Sequence, residues 1–157
     1  MASKSMRRRE FIARSAAAGL GLAGGTVGLR PARRVLGANE RAVVAIMGIK
    51  GRGTFLAREI AQRGDVAIAY LCDVDSRLFG RTVQIVEELQ GTSPRTTMDF
   101  RRILDDDDVD ALFNATPDHW HAIPTIMACQ AGKDVYVEKP VSHNIWEGRK
   151  MVEAARK

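Results

Sequence analysis

Two residues of opposite charge, Glu138 and Lys139, close an apolar run in the stretch DVYVEKPVS, residues 134–142, and Pro140 follows at once. A carboxylate and an ammonium at the end of a buried strand are costly unless water or a partner satisfies them, and a cofactor with its substrate is such a partner. Pro140 cannot donate to a sheet ladder and biases Lys139 toward an extended backbone, which halts the strand and aims the Lys139 side chain away from the sheet end. An amine so placed can hydrogen-bond a reacting hydroxyl and handle its proton, whereas Glu138 suits a positioning role. A second set of residues lies near the start of the chain, where Gly48, Gly51 and Gly53 are spaced G-x-x-G-x-G around Arg52. Glycines between a strand and a helix let a phosphate approach the backbone and the positive end of the helix. The same glycines would also serve a tight strand-to-helix turn that holds no ligand.

Asp73 lies 20 residues past Gly53. At the end of a strand its carboxylate can accept hydrogen bonds from a ribose diol, which completes the requirements of a dinucleotide. A 2′-phosphate would face Asp73 and Asp75, so NAD is favoured over NADP, with Arg77 pulling the other way.

Positioning these groups takes alternating strands and helices. Apolar runs at 42–48, 66–73, 110–117 and 135–138 read as strands. Helical patterns at 54–63, 76–90 and 119–131 end at Gly64, Gly91 and Gly132, a further helix starts at Asn144, and RTTMDFRRILDD supplies a short strand and a short helix. Near-continuous Val, Ile, Ala and Leu strands suit burial on both faces, so the expected fold is α/β, a doubly wound and mostly parallel sheet of Rossmann type. Ligands of such sheets sit beyond the carboxyl ends of the strands, which makes Glu138 and Lys139, together with Thr116, Pro117 and Asp118, candidates to touch one.

The segments IMGIKGRGT, LCDVD, NATPDHWH and AGKDVYVEKPVSHNIWEGRKMVEAARK resemble the Gfo/Idh/MocA oxidoreductases, nicotinamide-dependent enzymes acting mostly on sugars and polyols, from about Ala42 onward. The resemblance implies that Lys139 meets the nicotinamide ribose and the substrate hydroxyl. It implies that Asp118 and His121 lie near the nicotinamide half, and that Gly48, Gly51, Arg52, Gly53 and Asp73 hold the pyrophosphate and adenosine half. Thr116 and Glu138 complete the expected cofactor shell. Members of the family continue with a last strand and a second domain carrying substrate contacts, often a catalytic histidine, and an oligomer interface. Residues 39–157 are therefore expected to be a dinucleotide-binding domain without these parts, and the full-length form a homo-oligomer. Relatives that use bound NAD transiently to cleave glycosidic bonds, and a non-catalytic nucleotide-binding fragment, are the alternative readings.

Net charge argues against a nucleic-acid partner once it is divided along the chain. The whole carries +5 and a pI near 9.6, yet residues 1–38 hold eight Lys or Arg against Glu10 alone. The remainder holds 16 basic and 18 acidic residues, and a slightly acidic body lacks the footprint that DNA or RNA requires. In the leader, Arg8-Arg9-Glu10-Phe11-Ile12 precedes an uncharged run of 15 residues, Ser15 to Leu29, and then RPARRVLGA. That run is shorter than the roughly 20 residues of a spanning helix. The pattern resembles a twin-arginine export signal ending near Gly37-Ala38, so the expected partner is that export machinery and the expected location periplasmic; a basic tail that stays on the protein is the other reading.

Other residues point to no chemistry of their own. His119 and His121 would face different sides of a helix, with no third ligand nearby, so no metal is expected. Asp105 to Asp108 lack the glycine and distal glutamate of a calcium loop. Cys72 and Cys129 read as small buried apolar residues, Trp146 as a packing residue, and His143 as a capping or solvent-facing one.

Overall fold

A computed structural model describes residues 41–157, so the basic leader lies outside the described residues. Among the described residues five strands and five helices alternate: β1 (Ala42–Met47), α1 (Arg52–Ala61), β2 (Val66–Cys72), α2 (Phe79–Gln90), β3 (Arg95–Thr97), α3 (Arg101–Leu104), β4 (Ala111–Asn114), α4 (Ala122–Gln130), β5 (Asp134–Val137) and α5 (Ile145–Ala155). All the pairings are parallel, in the order β3-β2-β1-β4-β5. The doubly wound sheet expected from the apolar runs is the observed architecture.

The helices begin later, or differently, than the glycine punctuation implies. Residues Ser76–Leu78 and Asp118–Trp120 form single 3₁₀ turns ahead of α2 and α4. Asp75 caps the first of these by accepting from the Arg77 amide. The stop at Gly91 is as read: it takes the left-handed conformation, φ 78°, and donates to Glu87 O, whereas α1 ends at Ala61, two residues before the expected Arg63, and Gly64 does not cap it.

Alternate residues of β1 feed two cores. Val44 and Ile46 pack with Ala57, Ile60, Ile68, Leu71 and Val86 under α1 and α2. Ala45 and Met47 pack with Tyr70, Ile103, Leu112 and Ala128 beneath α3 and α4. Strand β2 could not serve both faces with a strict period of two, because Ile68 and Leu71 belong to one core and Tyr70 and Cys72 to the other. A register shift resolves this: Val44 pairs with Ile68 but Ala45 pairs with Tyr70, leaving Ala69 as an extra residue. Edge strand β5 is only half-buried, unlike β1, so the two-sided burial expected of the strands holds for the centre of the sheet. Strand β3 covers β2 only from Tyr70 to Cys72. Below it the Gln90 carboxamide stands in for a strand, accepting from Ile68 N at 2.9 Å and donating to Ile68 O at 3.0 Å.

Glycine is obligatory where β1 turns into α1. A Cβ on Gly53 would sit 1.8 Å from Gly48 O, and one on Gly48, whose φ is 82°, would sit 2.7 Å from Thr116 N. These are backbone atoms that cannot swing aside. Gly80, on the exposed side of α2, has nothing within 4 Å of its would-be Cβ. Gly53→Ala should therefore cost about 2 kcal/mol or more through overpacking, whereas Gly80→Ala should gain about 0.5–1 kcal/mol through helix propensity. Urea unfolding of the two variants checks both signs.

Candidate functional site

The carboxyl ends of β1, β2, β4 and β5 lie along one edge of the sheet, and the direction of winding reverses between β1 and β4. In open α/β sheets that reversal leaves a crevice where ligands bind. Each of the four ends is held by specific bonds.

The glycine turn leaves the start of α1 open. Gly51 occupies the N-cap position with φ 51°, no side chain caps the helix, and its first turn carries no acid. A Cβ added at Gly51 would meet nothing within 4 Å. The start of the helix and the positive end of its dipole thus border open space at Gly51, although Gly53 N already donates to Lys50 O at 3.3 Å, an arrangement that suits a phosphate. Gly48 and Gly53 are needed for the turn by close approach and Gly51 by its positive φ, so the turn alone accounts for all three glycines, while Gly51 also borders the open helix start.

Asp73 ends β2 and is half-buried. Its Oδ2 accepts from Ile49 N at 2.8 Å and its Oδ1 from Asp75 N at 3.0 Å. The carboxylate is locked against the glycine turn, and each oxygen keeps lone-pair capacity for a diol. Asp75 is taken up by Arg77 through two bonds of 2.8 Å, which pull its carboxyl down to about 2 from an ordinary 3.8. The arginine that opposes the NAD preference in the sequence is thereby committed to a neighbour.

The loop after β4 is organised by Asn114 and His121. Asn114 is fully buried; its Oδ1 accepts from Thr116 N and Oγ1, and its Nδ2 donates to His121 O at 3.2 Å. His121 is 1% exposed, and its ring spans two loops, with Nδ1 2.7 Å from Pro140 O and Nε2 2.8 Å from Thr116 O. Both ring nitrogens are thus used inside the protein. His119, by contrast, is exposed, and among the described residues no group of three or more His, Cys, Asp or Glu is placed to hold a metal.

Glu138 follows β5 and is 8% exposed. Its partner is Arg52, whose Nε donates to Oε1 at 2.7 Å, and the Tyr136 hydroxyl donates to the same oxygen at 3.1 Å. Arg52, through that hydrogen bond first, holds the Glu138 carboxyl below its ordinary range. The charge that the sequence left in need of a ligand is satisfied from the glycine turn instead. The Arg52 guanidinium also lies over the Phe55 ring at 5.1 Å and remains half-exposed. Lys139 is exposed, and its peptide bond to Pro140 is cis. Asp118 sits between two imidazoles: His143 Nδ1 lies 3.2 Å from Oδ2, and His119 Nδ1 lies 3.6 Å from Oδ1.

Sequence reasoning missed Asn114, Tyr136 and the Arg52–Glu138 pair. The pattern Asn-x-Thr closing a strand is the signal for the first, since an asparagine there bonds the backbone two residues on. Trp146 is not a packing residue: it is 67% exposed, with Lys150 Nζ 5.7 Å from its ring. Cys72 is buried as expected, and Cys129 is only half-buried.

Residues 42–157 match the Gfo/Idh/MocA family, described as an oxidoreductase family with a NAD-binding Rossmann fold. A glycosyl hydrolase family 109 protein of Stenotrophomonas maltophilia is 32% identical over 140 residues, 85% of this chain and 30% of the relative. An uncharacterized oxidoreductase of Streptococcus pneumoniae is 34% identical over 69% of this chain and 28% of its own length. Among solved structures, GenD2 from gentamicin A biosynthesis, in complex with NAD, superposes with a TM-score of 0.65 at 28% identity, covering 82% of this chain and 35% of that one. The WlbA dehydrogenase of Bordetella pertussis, in complex with NADH and UDP-GlcNAcA, does so with a TM-score of 0.61 at 28% identity, over 75% of this chain and 33% of that one. The chain spans about a third of the length of such relatives. The sheet order, the glycine turn closed by Asp73 and the match over residues 42–157 agree: this chain belongs to the Gfo/Idh/MocA oxidoreductase family and carries its NAD-binding Rossmann fold.

Proposed function

We propose that this chain is the cofactor-binding part of an exported NAD-dependent oxidoreductase that removes hydride from a carbinol of a sugar or polyol. The observation that carries the reading is the convergence of an uncapped helix start at Gly51, a fixed carboxylate at Asp73 and the exposed Lys139 on one edge of the sheet. NAD, when bound, supplies the hydride acceptor. The amides around Gly51, with Arg52, hold the pyrophosphate, and Asp73 receives the adenosine ribose. Lys139 hydrogen-bonds the reacting oxygen at the opposite half. Asp118 faces the same half, while His121, through Thr116 and Pro140, keeps the two loops that border it in place. WlbA in its complex with UDP-GlcNAcA supports a sugar-type substrate. The glycosyl hydrolase relatives favour a second reading, in which the cofactor is oxidised and reduced within each turnover to cleave a glycosidic bond. Net formation of NADH from a polyol supports the first; glycoside cleavage without net NADH supports the second.

Cofactor choice follows from the charges at the end of β2. Asp73 is uncompensated there, so NAD should bind more tightly than NADP. Asp73→Ala also removes the bond to Ile49 N, so both affinities should fall while the gap between them narrows. Calorimetric titration with each cofactor checks this, and a wild-type preference for NADP would defeat it.

Lys139 serves the reacting centre rather than the fold. Lys139→Ala should leave stability within about 0.5 kcal/mol, as for other exposed positions, and reduce turnover of the full-length protein roughly 100-fold, the contribution of a positioned proton-handling group. The NAD dissociation constant should change far less, because Gly51 and Asp73 hold the other half. Paired measurement of turnover and affinity checks the separation.

Export rests on Arg8 and Arg9. A twin-arginine substrate crosses the membrane folded, which suits a domain that must acquire its cofactor in the cytoplasm. Replacing both residues by lysine should leave the protein in the cytoplasmic fraction, and undiminished export would remove this route.

A further inference from the structure

The bridge made by His121 has a consequence at the surface. By holding Thr116 O and Pro140 O on one imidazole, it brings the loop after β4 beside the loop after β5. Asp118 and His143, separated by 25 residues, meet there with Oδ2 and Nδ1 3.2 Å apart. The His143 backbone is itself pinned. Its amide donates to Glu147 Oε2, and Asn144, the cap of α5, accepts from Glu147 N at 2.9 Å, so the imidazole projects from a braced helix start.

The partner decides which nitrogen carries the proton. Asp118 sits below the ordinary carboxylate range, chiefly through its hydrogen bond with His143, and an ionised carboxylate only accepts. Nδ1 must then be the donor, and Nε2 of the neutral ring keeps its lone pair. The His143 side chain is more than half exposed, at the carboxyl end of the sheet and four residues beyond Lys139. A carboxylate orienting an imidazole whose far nitrogen is free is an arrangement for moving protons. The other charged groups facing the pair are His119, 3.6 Å from Asp118 Oδ1, and Glu147 beneath the His143 amide.

We propose that His143 is a second proton-handling group of this site, with Asp118 as its positioning residue. The inference rests on the oxidoreductase reading. Oxidation of a carbinol sends a hydride to the cofactor and frees the hydroxyl proton. The O–H bond breaks at the oxygen held by Lys139, and the proton passes to Nε2 of His143, which becomes an imidazolium and releases it to water.

Two measurements test this. In the ¹⁵N-labelled full chain, long-range proton–nitrogen correlation should show His143 as the Nδ1–H tautomer, and Asp118→Asn should abolish that preference; an Nε2–H ring in wild type overturns the proposal. In the full-length protein, His143→Gln should slow net NADH formation roughly 100-fold, leave the NAD dissociation constant unchanged, and be partly rescued by added imidazole. A rate unaffected by the substitution, or slowed without rescue, overturns the proposal, the latter marking a structural residue. Absence of net NADH from any polyol in wild type would fail the oxidoreductase reading instead, leaving the tautomer measurement to decide the orienting pair by itself.

Discussion

Everything at this edge of the sheet depends on how closely two backbones approach where its winding reverses. Strand β1 ends at Gly48, whose missing side chain leaves just enough room for the peptide joining Ala115 to Thr116 at the end of β4. With that contact made, the glycine turn and the loop after β4 share a wall, and α1 can start directly above it. A methyl group in the gap would drive β1 and β4 apart and undo the positions of Asp73, Thr116 and Asp118 together. Here a ligand cradle and the packing of two strands have a common steric origin.

Polar groups buried beneath the site hold loops to one another more than they face a ligand. Asn114 organises its own loop, His121 joins that loop to the next, and Glu138 draws Arg52 across from the glycine turn. Each is satisfied inside the protein, as buried polar groups must be. The groups on which the proposed function draws are less buried: Lys139, His143 and Arg52 are exposed, and Asp73 is half-buried. Buried anchors thus define where exposed groups stand, and chemistry is left to side chains with few packing duties.

Much of this architecture can be read from the sequence because its signals are local. Apolar runs mark every strand flanking the site, and an acid lies 20 residues past Gly53 at the end of β2. What escapes such reading is either a compromise between faces or a pairing over distance. Ala69 as the extra residue of β2 follows from the competing demands of two cores, which no period in the sequence displays. The Arg52–Glu138 pair links residues 86 apart, and charge types alone do not choose partners at that range. Trp146, at the start of its helix, reads as a packing residue, yet the helix turns that position to water.

The pairing order also shapes how the chain can mature on the ribosome. Strands β1, β2 and β3 emerge consecutively and are neighbours, so most of the core beneath α1 and α2 can gather once Val86 is free of the exit tunnel, leaving Ala111 and Phe113 to complete it. The opposite face has no such luck: Ala45 and Met47 remain uncovered until Leu112 and Ala128 have been synthesised. Arg52 waits longest, since its carboxylate partner follows the last strand. During that interval the nascent chain displays an apolar sheet face and an unpaired guanidinium, a surface open to aggregation. The glycine turn is therefore among the first parts to be made and among the last to be braced.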